Sequence, residues 1–183
     1  MRSTHLSKKL TDHTTAKQPV MIWGPPGVGK SAVVAQVAKN IGAELIDLRA
    51  VLLDPTDIRG IPYVVDGAMK ISDPAVLPNA RSKKKFLLFL DEIVAAPPAT
   101  QAALFQLILD RKIGTYTLPD GVVMVAAGNR ATDRSGANRM LAALSNRFIH
   151  YDFDVNLDDW CNWALKRQKL SKTSGRSLAK IIV

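Results

Sequence analysis

Five short, nearly continuous apolar runs alternate with helix-like segments along this chain, and that alternation restricts the possible folds more than any other property. The runs are PVMIW (19–23), AELIDL (43–48), KFLLFLDE (85–92), VVMVAAG (122–128) and FIHYDF (148–153). A strand wetted on one face alternates polar and apolar residues, whereas an unbroken apolar run suits a strand covered on both faces. The expected fold is therefore α/β, a three-layer sandwich in which helices cover both faces of a parallel sheet through right-handed crossovers. One helix is expected over 30–41, with Gly42 as its C-cap. A second should start after Pro97 and Pro98 and align Leu104, Leu107 and Ile108, and a third near 138–146 should align Met140, Leu141 and Leu144.

Two interruptions read as inserted β-hairpins. RGIPYVVDGAMKIS (59–72) places two β-like arms around Asp66 and Gly67, and IGTYTLPDGVVMV (113–125) repeats the pattern around Pro119, Asp120 and Gly121. They are either partner or pore contacts, with Tyr63 and Tyr116 as candidate aromatics, or ordinary hairpins finishing the sheet.

At 183 residues the chain is long enough for one well-buried core and short for two. The formal charge of +9 sits at the ends: residues 1–18 and 166–183 hold ten Lys/Arg and one Asp, while the rest balances at fifteen basic and fifteen acidic. A neutral fold with basic ends argues against a nucleic-acid role, although such ends can hold phosphate backbones nonspecifically. No run approaches the ~20 apolar residues of a membrane span, and the N-terminus lacks the apolar stretch of a secretory signal. Cys161 alone makes neither an internal disulfide nor a cysteine-rich metal site, so a reducing cytoplasm is the expected compartment. Cys161 reads as a half-buried position of a helix capped by Asn156, with Leu157, Trp160 and Ala164 on the same face. From Lys166 the periodicity fades into a basic tail.

GPPGVGKS (24–31) joins the first apolar run to the first helix. Gly24, Gly29, Lys30 and Ser31 match G-x-x-x-x-G-K-[ST], a pattern whose loop turns backbone N–H groups toward phosphate oxygens at a helix N-terminus. The candidate cradle comprises Gly24, Pro25, Pro26, Gly27, Val28, Gly29, Lys30, Ser31 and Ala32. Lys30 would reach the β- and γ-phosphates, and the Ser31 hydroxyl would ligate Mg²⁺. FLLFLDEI (86–93) delivers two carboxylates to the carboxyl end of a buried strand, where open α/β sheets bind ligands. Asp91 fits the second Mg²⁺ ligand, and Glu92 the base that polarises an attacking water. An N-K-x-D guanine-reading element is absent, and the paired acid favours water over an acceptor hydroxyl, so ATP hydrolysis is expected. Asn129, at the tip of the fourth run, would orient the water or touch the γ-phosphate. Arg147, in LAALSNRF (141–148), reads either as compensation of a helix C-terminus or as a guanidinium reaching a neighbouring subunit's phosphate. Arg130, Arg134 and Arg139 are second-choice interface cations.

The ordered set GPPGVGKS, LLFLDE, AAGN and SNRF resembles AAA+ ATPases. DPTDIRGIP (54–62), APPATQAALFQLILDRKIGTY (96–116) and LPDGVVMVAAGNRATD (118–133) look like the MoxR-type branch. The resemblance spans roughly residues 18–165. It implies a P-loop NTPase core with strand order 5-1-4-3-2, and the hairpins as its helix-2 and pre-sensor-1 inserts. It also implies Asn129 as sensor 1, Arg147 as arginine finger, and a homo-oligomeric ring, usually hexameric, with sites between subunits. Members often act as chaperone-like remodellers of protein clients together with von Willebrand factor A domain proteins. The expected division is a basic segment at 1–17, a nucleotide-binding core at 18–155, and at 156–183 the start of a truncated helical lid plus the basic tail. A chain without most of its lid is either a Mg²⁺-dependent ATPase or a nucleotide-binding regulatory module with little turnover.

Overall fold

The computed structural model of the chain describes residues 1–130 and 140–154. Five parallel strands form the central sheet: β1 (Val20–Trp23), β2 (Glu44–Arg49), β5 (Phe86–Asp91), β8 (Val122–Gly128) and β9 (Ile149–Asp152). Their order is β2-β5-β8-β1-β9, which for the five apolar runs is the expected 5-1-4-3-2. β5 explains why those runs are unbroken. Leu87 and Phe89 pack into one core cluster and Leu88 and Leu90 into another, and all four are fully buried. Successive side chains of a strand point to opposite faces, so covering both faces demands apolar residues at every position.

Helix α2 (Lys30–Asn40) lies on one face through Val34 and Val37, and α4 (Pro98–Asp110) on the other through Leu104, Leu107 and Ile108. The amide of Ala43 closes the end of α2 onto the Ala38 carbonyl at 2.9 Å, with Gly42 at φ +67 between them. That is the glycine C-cap expected at this position. A short helix, α3 (Pro55–Arg59), carries the buried Ile58.

Three expectations change. Residues 3–15, read as part of a basic end, form helix α1 (Ser3–Thr15), whose Leu6 and Leu10 are fully buried in the same cluster as Val34 and Val37. The third helix is shorter than 138–146. It runs as α5 (Ala142–Ser145), with Leu144 buried and Leu141 exposed at its N-cap. The first insert is the expected hairpin, β3 (Pro62–Val65) against β4 (Ala68–Ile71), but the second turns elsewhere. Its strands are β6 (Lys112–Ile113) and β7 (Tyr116–Thr117), so the turn falls at Gly114 and Thr115. Pro119, Asp120 and Gly121 instead make a turn, closed by Val122 N–H on the Pro119 carbonyl at 3.1 Å, that feeds β8. The Arg111 guanidinium donates to the Pro119 and Val122 carbonyls at 2.8 and 2.9 Å, which holds this segment away from hairpin pairing. Of the two roles open to Tyr116 the structure shows packing: its ring is buried and its hydroxyl donates to the Pro78 carbonyl at 2.6 Å. Tyr63 is exposed on β3.

No helix among the described residues is long and apolar enough to cross a membrane. Arg134, Arg139, the segment capped by Asn156, Cys161 and the basic tail lie outside the described residues.

Candidate active site

The site forms where β8, β1 and β9 end side by side. Phe153 N–H donates to the Trp23 carbonyl at 2.7 Å and Gly24 N–H to the Gly128 carbonyl at 3.3 Å, so the loop after β1 leaves the sheet against both neighbours. This close approach requires glycine at position 24, because a Cβ there would lie 2.2 Å from the Phe153 carbonyl oxygen. At the far end of the loop Gly29 caps α2 at φ +95, a left-handed conformation that glycine adopts without steric cost. The loop therefore curls between two positions that only glycine fills easily, and its N–H groups gather at the start of an eleven-residue helix.

Three separate segments meet over this loop. They line an open cleft of about 260 Å³ formed by residues 26–32 with Asp91, Glu92, Gly128 and Asn129. Lys30 is largely buried. Its ammonium donates to the Gly24 carbonyl at 2.7 Å, the Pro25 carbonyl at 3.0 Å and Asn129 Oδ1 at 3.0 Å. Ser31 Oγ donates to Asp91 Oδ2 at 3.3 Å, which pairs a hydroxyl with a carboxylate. Hard oxygen donors of this kind suit Mg²⁺, which binds through one or two protein ligands and fills its remaining positions with water and phosphate. Glu92 follows at φ +55, its amide donating to Asp91 Oδ1 at 2.9 Å, and it lines the same cleft.

Arg147 stands apart from this cleft. It is exposed in the link between α5 and β9, with its guanidinium over the Phe105 ring of α4 at 5.9 Å from the centroid. Arg130, a second-choice interface cation, is engaged within the chain instead, pairing with Asp152 at 3.5 Å and with Asp154. That hydrogen bond with Arg130 holds the Asp154 carboxyl below its ordinary range.

Strand β2 contributes two charged residues that motif reading missed. Its register sets Arg49 opposite Asp91. Burial, and secondarily Asp91, push the Asp47 carboxyl above its ordinary range, while Arg49 opposes the shift. No local pattern marks either residue. Only the pairing of β2 with β5 brings them to the end of the sheet where Asp91 lies.

Residues 19–148 match the family model of the AAA domain (dynein-related subfamily). The chain belongs to that family. Among curated relatives of this AAA domain, midasin of Giardia intestinalis is 26% identical over 157 residues, which is 81% of the chain and 3% of midasin. The replication factor C small subunit of Methanocella arvoryzae is 35% identical over 81 residues, 44% of the chain and 24% of that protein. The AAA domain thus spans a small part of these relatives. Among solved structures, a P216G mutant of Thermotoga maritima RuvB superposes with a TM-score of 0.67 at 20% identity, covering 93% of this chain and 52% of that one. Brucella abortus NtrX in complex with ADP superposes with a TM-score of 0.63 at 16% identity, covering 98% and 43%. At these identities the likeness is one of fold.

Proposed function

We propose that this AAA domain binds and hydrolyses Mg²⁺-ATP as the core of a ring-forming, MoxR-type ATPase that remodels or activates a protein partner. The observation that carries the reading is the meeting of Lys30, Ser31, Asp91, Glu92 and Asn129 in one cleft from three distant segments. The loop 24–29 and the α2 N-terminus hold the phosphates through backbone N–H groups. Lys30 exchanges its resting carbonyl partners for phosphate oxygens. Ser31 and Asp91 would hold Mg²⁺, which supplies charge neutralisation between the β- and γ-phosphates. Glu92 accepts a hydrogen bond from the attacking water and takes up its proton, while the Asn129 amide orients that water or the γ-phosphate.

Arg147 acts in trans on this reading. It is exposed and absent from its own cleft, and a guanidinium delivered by a neighbour to the γ-phosphate is worth roughly 10³- to 10⁵-fold in rate. The homo-oligomer is then a ring, hexameric by resemblance, working in a reducing cytoplasm on a protein client such as a von Willebrand factor A domain protein.

Phosphate release at increasing protein concentration, compared between wild type and Glu92→Gln, tests the proposal. A rate per subunit that rises with concentration and vanishes in the variant is expected. Turnover equal to that of the variant would reject hydrolysis and leave a regulatory module that only binds nucleotide.

A further inference from the structure

Gln101 is a buried polar side chain that the reading above leaves unused. It lies in the first turns of α4, only 1% exposed, at the junction of two functional segments. Its Nε2 donates to the Ala96 carbonyl at 3.0 Å and, more weakly, to the Val94 carbonyl at 3.4 Å. Its Oε1 accepts the Leu141 N–H at 3.0 Å.

Each partner belongs to one half of the shared chemistry. Val94 and Ala96 lie in and just after the 3₁₀ turn Ile93–Ala95, which is capped by Glu92; Ala95 N–H donates to the Glu92 carbonyl at 2.9 Å. Glu92 holds a left-handed conformation, which is strained for a non-glycine residue and persists only where its surroundings fix it. Leu141 is the N-cap of α5, and that helix ends in the link carrying Arg147, whose N–H donates to the Leu144 carbonyl at 3.1 Å. Arg147 itself rests on Phe105, one turn along α4 from Gln101. The carboxamide is planar, so its donors and its acceptor cannot be aimed independently. A shift of the Glu92 turn that swings the amide must also move the anchor of α5.

We propose that Gln101 is a positioning residue that couples the Glu92 turn of one subunit to the Arg147 which that subunit offers to its neighbour. The inference rests on the shared-site ATPase reading. It adds a physical link between a subunit's own hydrolytic carboxylate and the cation it lends.

Complementation separates the two. Lys30→Ala subunits hydrolyse nothing themselves but still offer Arg147, and Arg147→Ala subunits keep a complete cleft but lend no cation. Mixed at a concentration where the rate per subunit has reached its plateau, they should regain hydrolysis that neither shows alone. If this parent mixture stays inactive, the shared-site reading fails and the inference falls with it. Gln101→Met, close to isosteric and without the hydrogen bonds, is then placed in the Lys30→Ala subunits. All hydrolysis now occurs in clefts whose own Gln101 is intact, so damage to the variant's own cleft does not enter the rate. The expected result is a fall in kcat of about tenfold or more with KM for ATP unchanged, because misplacing a reacting group by about 1 Å costs up to about 10²-fold.

Gln101→Glu in the same position provides the second arm, since it keeps an acceptor for Leu141 N–H while losing the amide donors. It should restore most of the kcat in the Lys30→Ala subunits, yet lower it when placed in the Arg147→Ala subunits. A parent mixture unaffected by either variant in either position would overturn the proposal. So would Gln101→Glu and Gln101→Met lowering kcat equally when carried by the subunits that lend Arg147.

Discussion

Lys30 Nζ lies 3.0 Å from Asn129 Oδ1 across a separation of 99 residues, joining the helix that follows the phosphate loop to the tip of the neighbouring strand. Lys30 is thus not poised in open solvent. Its ammonium already donates to two loop carbonyls and one amide oxygen, with which phosphate oxygens must compete.

Asn129→Ala removes one of those resting acceptors. Nucleotide affinity should stay level or tighten slightly, because Lys30 has less to give up, whereas kcat should fall by roughly 10- to 100-fold as the orienting amide is lost. Titration with a fluorescent ADP analogue alongside a phosphate-release assay checks both. A large loss of affinity would show that Asn129 serves binding.

Ser31→Ala takes away one of two oxygen donors that lie 3.3 Å apart. Removing even an outer partner of a metal ligand costs about 10- to 100-fold in metal affinity, so removing a ligand should cost at least that. Nucleotide titrations with Mg²⁺ and with a chelator should show that the metal-dependent gain in affinity shrinks in the variant, while metal-free binding is retained.

Gly24→Ala forces a methyl group to within 2.2 Å of the Phe153 carbonyl oxygen. Phe153, just after β9, is itself tied to the Trp23 carbonyl and has little room to yield, and overpacking of this kind costs about 1–3 kcal/mol. Thermal melting should report a Tm lower by roughly 2–12 °C for a chain of this length, and nucleotide binding should weaken with it because the loop leaves the sheet at this residue.

Leu10→Ala should cost about 2–5 kcal/mol, the usual range for a fully buried leucine. Urea unfolding measures the loss. An N-terminal segment attached only by its charges would show no such change.

Tyr116 carries a pH signature. Burial, with a smaller contribution from Asp73, lifts its hydroxyl from an ordinary 10.0 to about 12. The folded chain therefore keeps this proton where the unfolded chain has released it, so the contribution is complete below pH 10 and fades as the pH rises toward 12. Tyr116→Phe lacks that dependence, and at pH 8 it should be less stable by about 1–3 kcal/mol because the Pro78 carbonyl loses its donor. Denaturant unfolding at pH 8, 10 and 11 should show the gap between the two proteins narrowing with pH.

Much of this molecule is written in short-range pattern. Phosphate-loop chemistry needs glycines, a lysine and a hydroxyl at fixed local spacing, and doubly covered strands need continuous apolar runs, so 24–31 and all five sheet strands are legible without coordinates. Lys30, Ser31, Asp91 and Glu92 each stand out as candidates from neighbours within a few positions, whereas Asn129 gains weight only in combination with those two motifs, because Gly-Asn after a strand is a common turn. Helix α1 does not stand out, because only Leu6 and Leu10 mark its buried face, too few to show a period amid polar residues. In the second insert, Pro119, Asp120 and Gly121 offer stronger local turn chemistry than Gly114 and Thr115, but the Arg111 guanidinium reaches back to claim the carbonyls around them. The placement of Arg49 opposite Asp91, the contact of Lys30 with Asn129 and the bridge made by Gln101 were likewise decided by tertiary structure alone. Each joins residues far apart in the chain, and such contacts are fixed by how the sheet orders its strands and how helices pack on them, which local propensity does not encode.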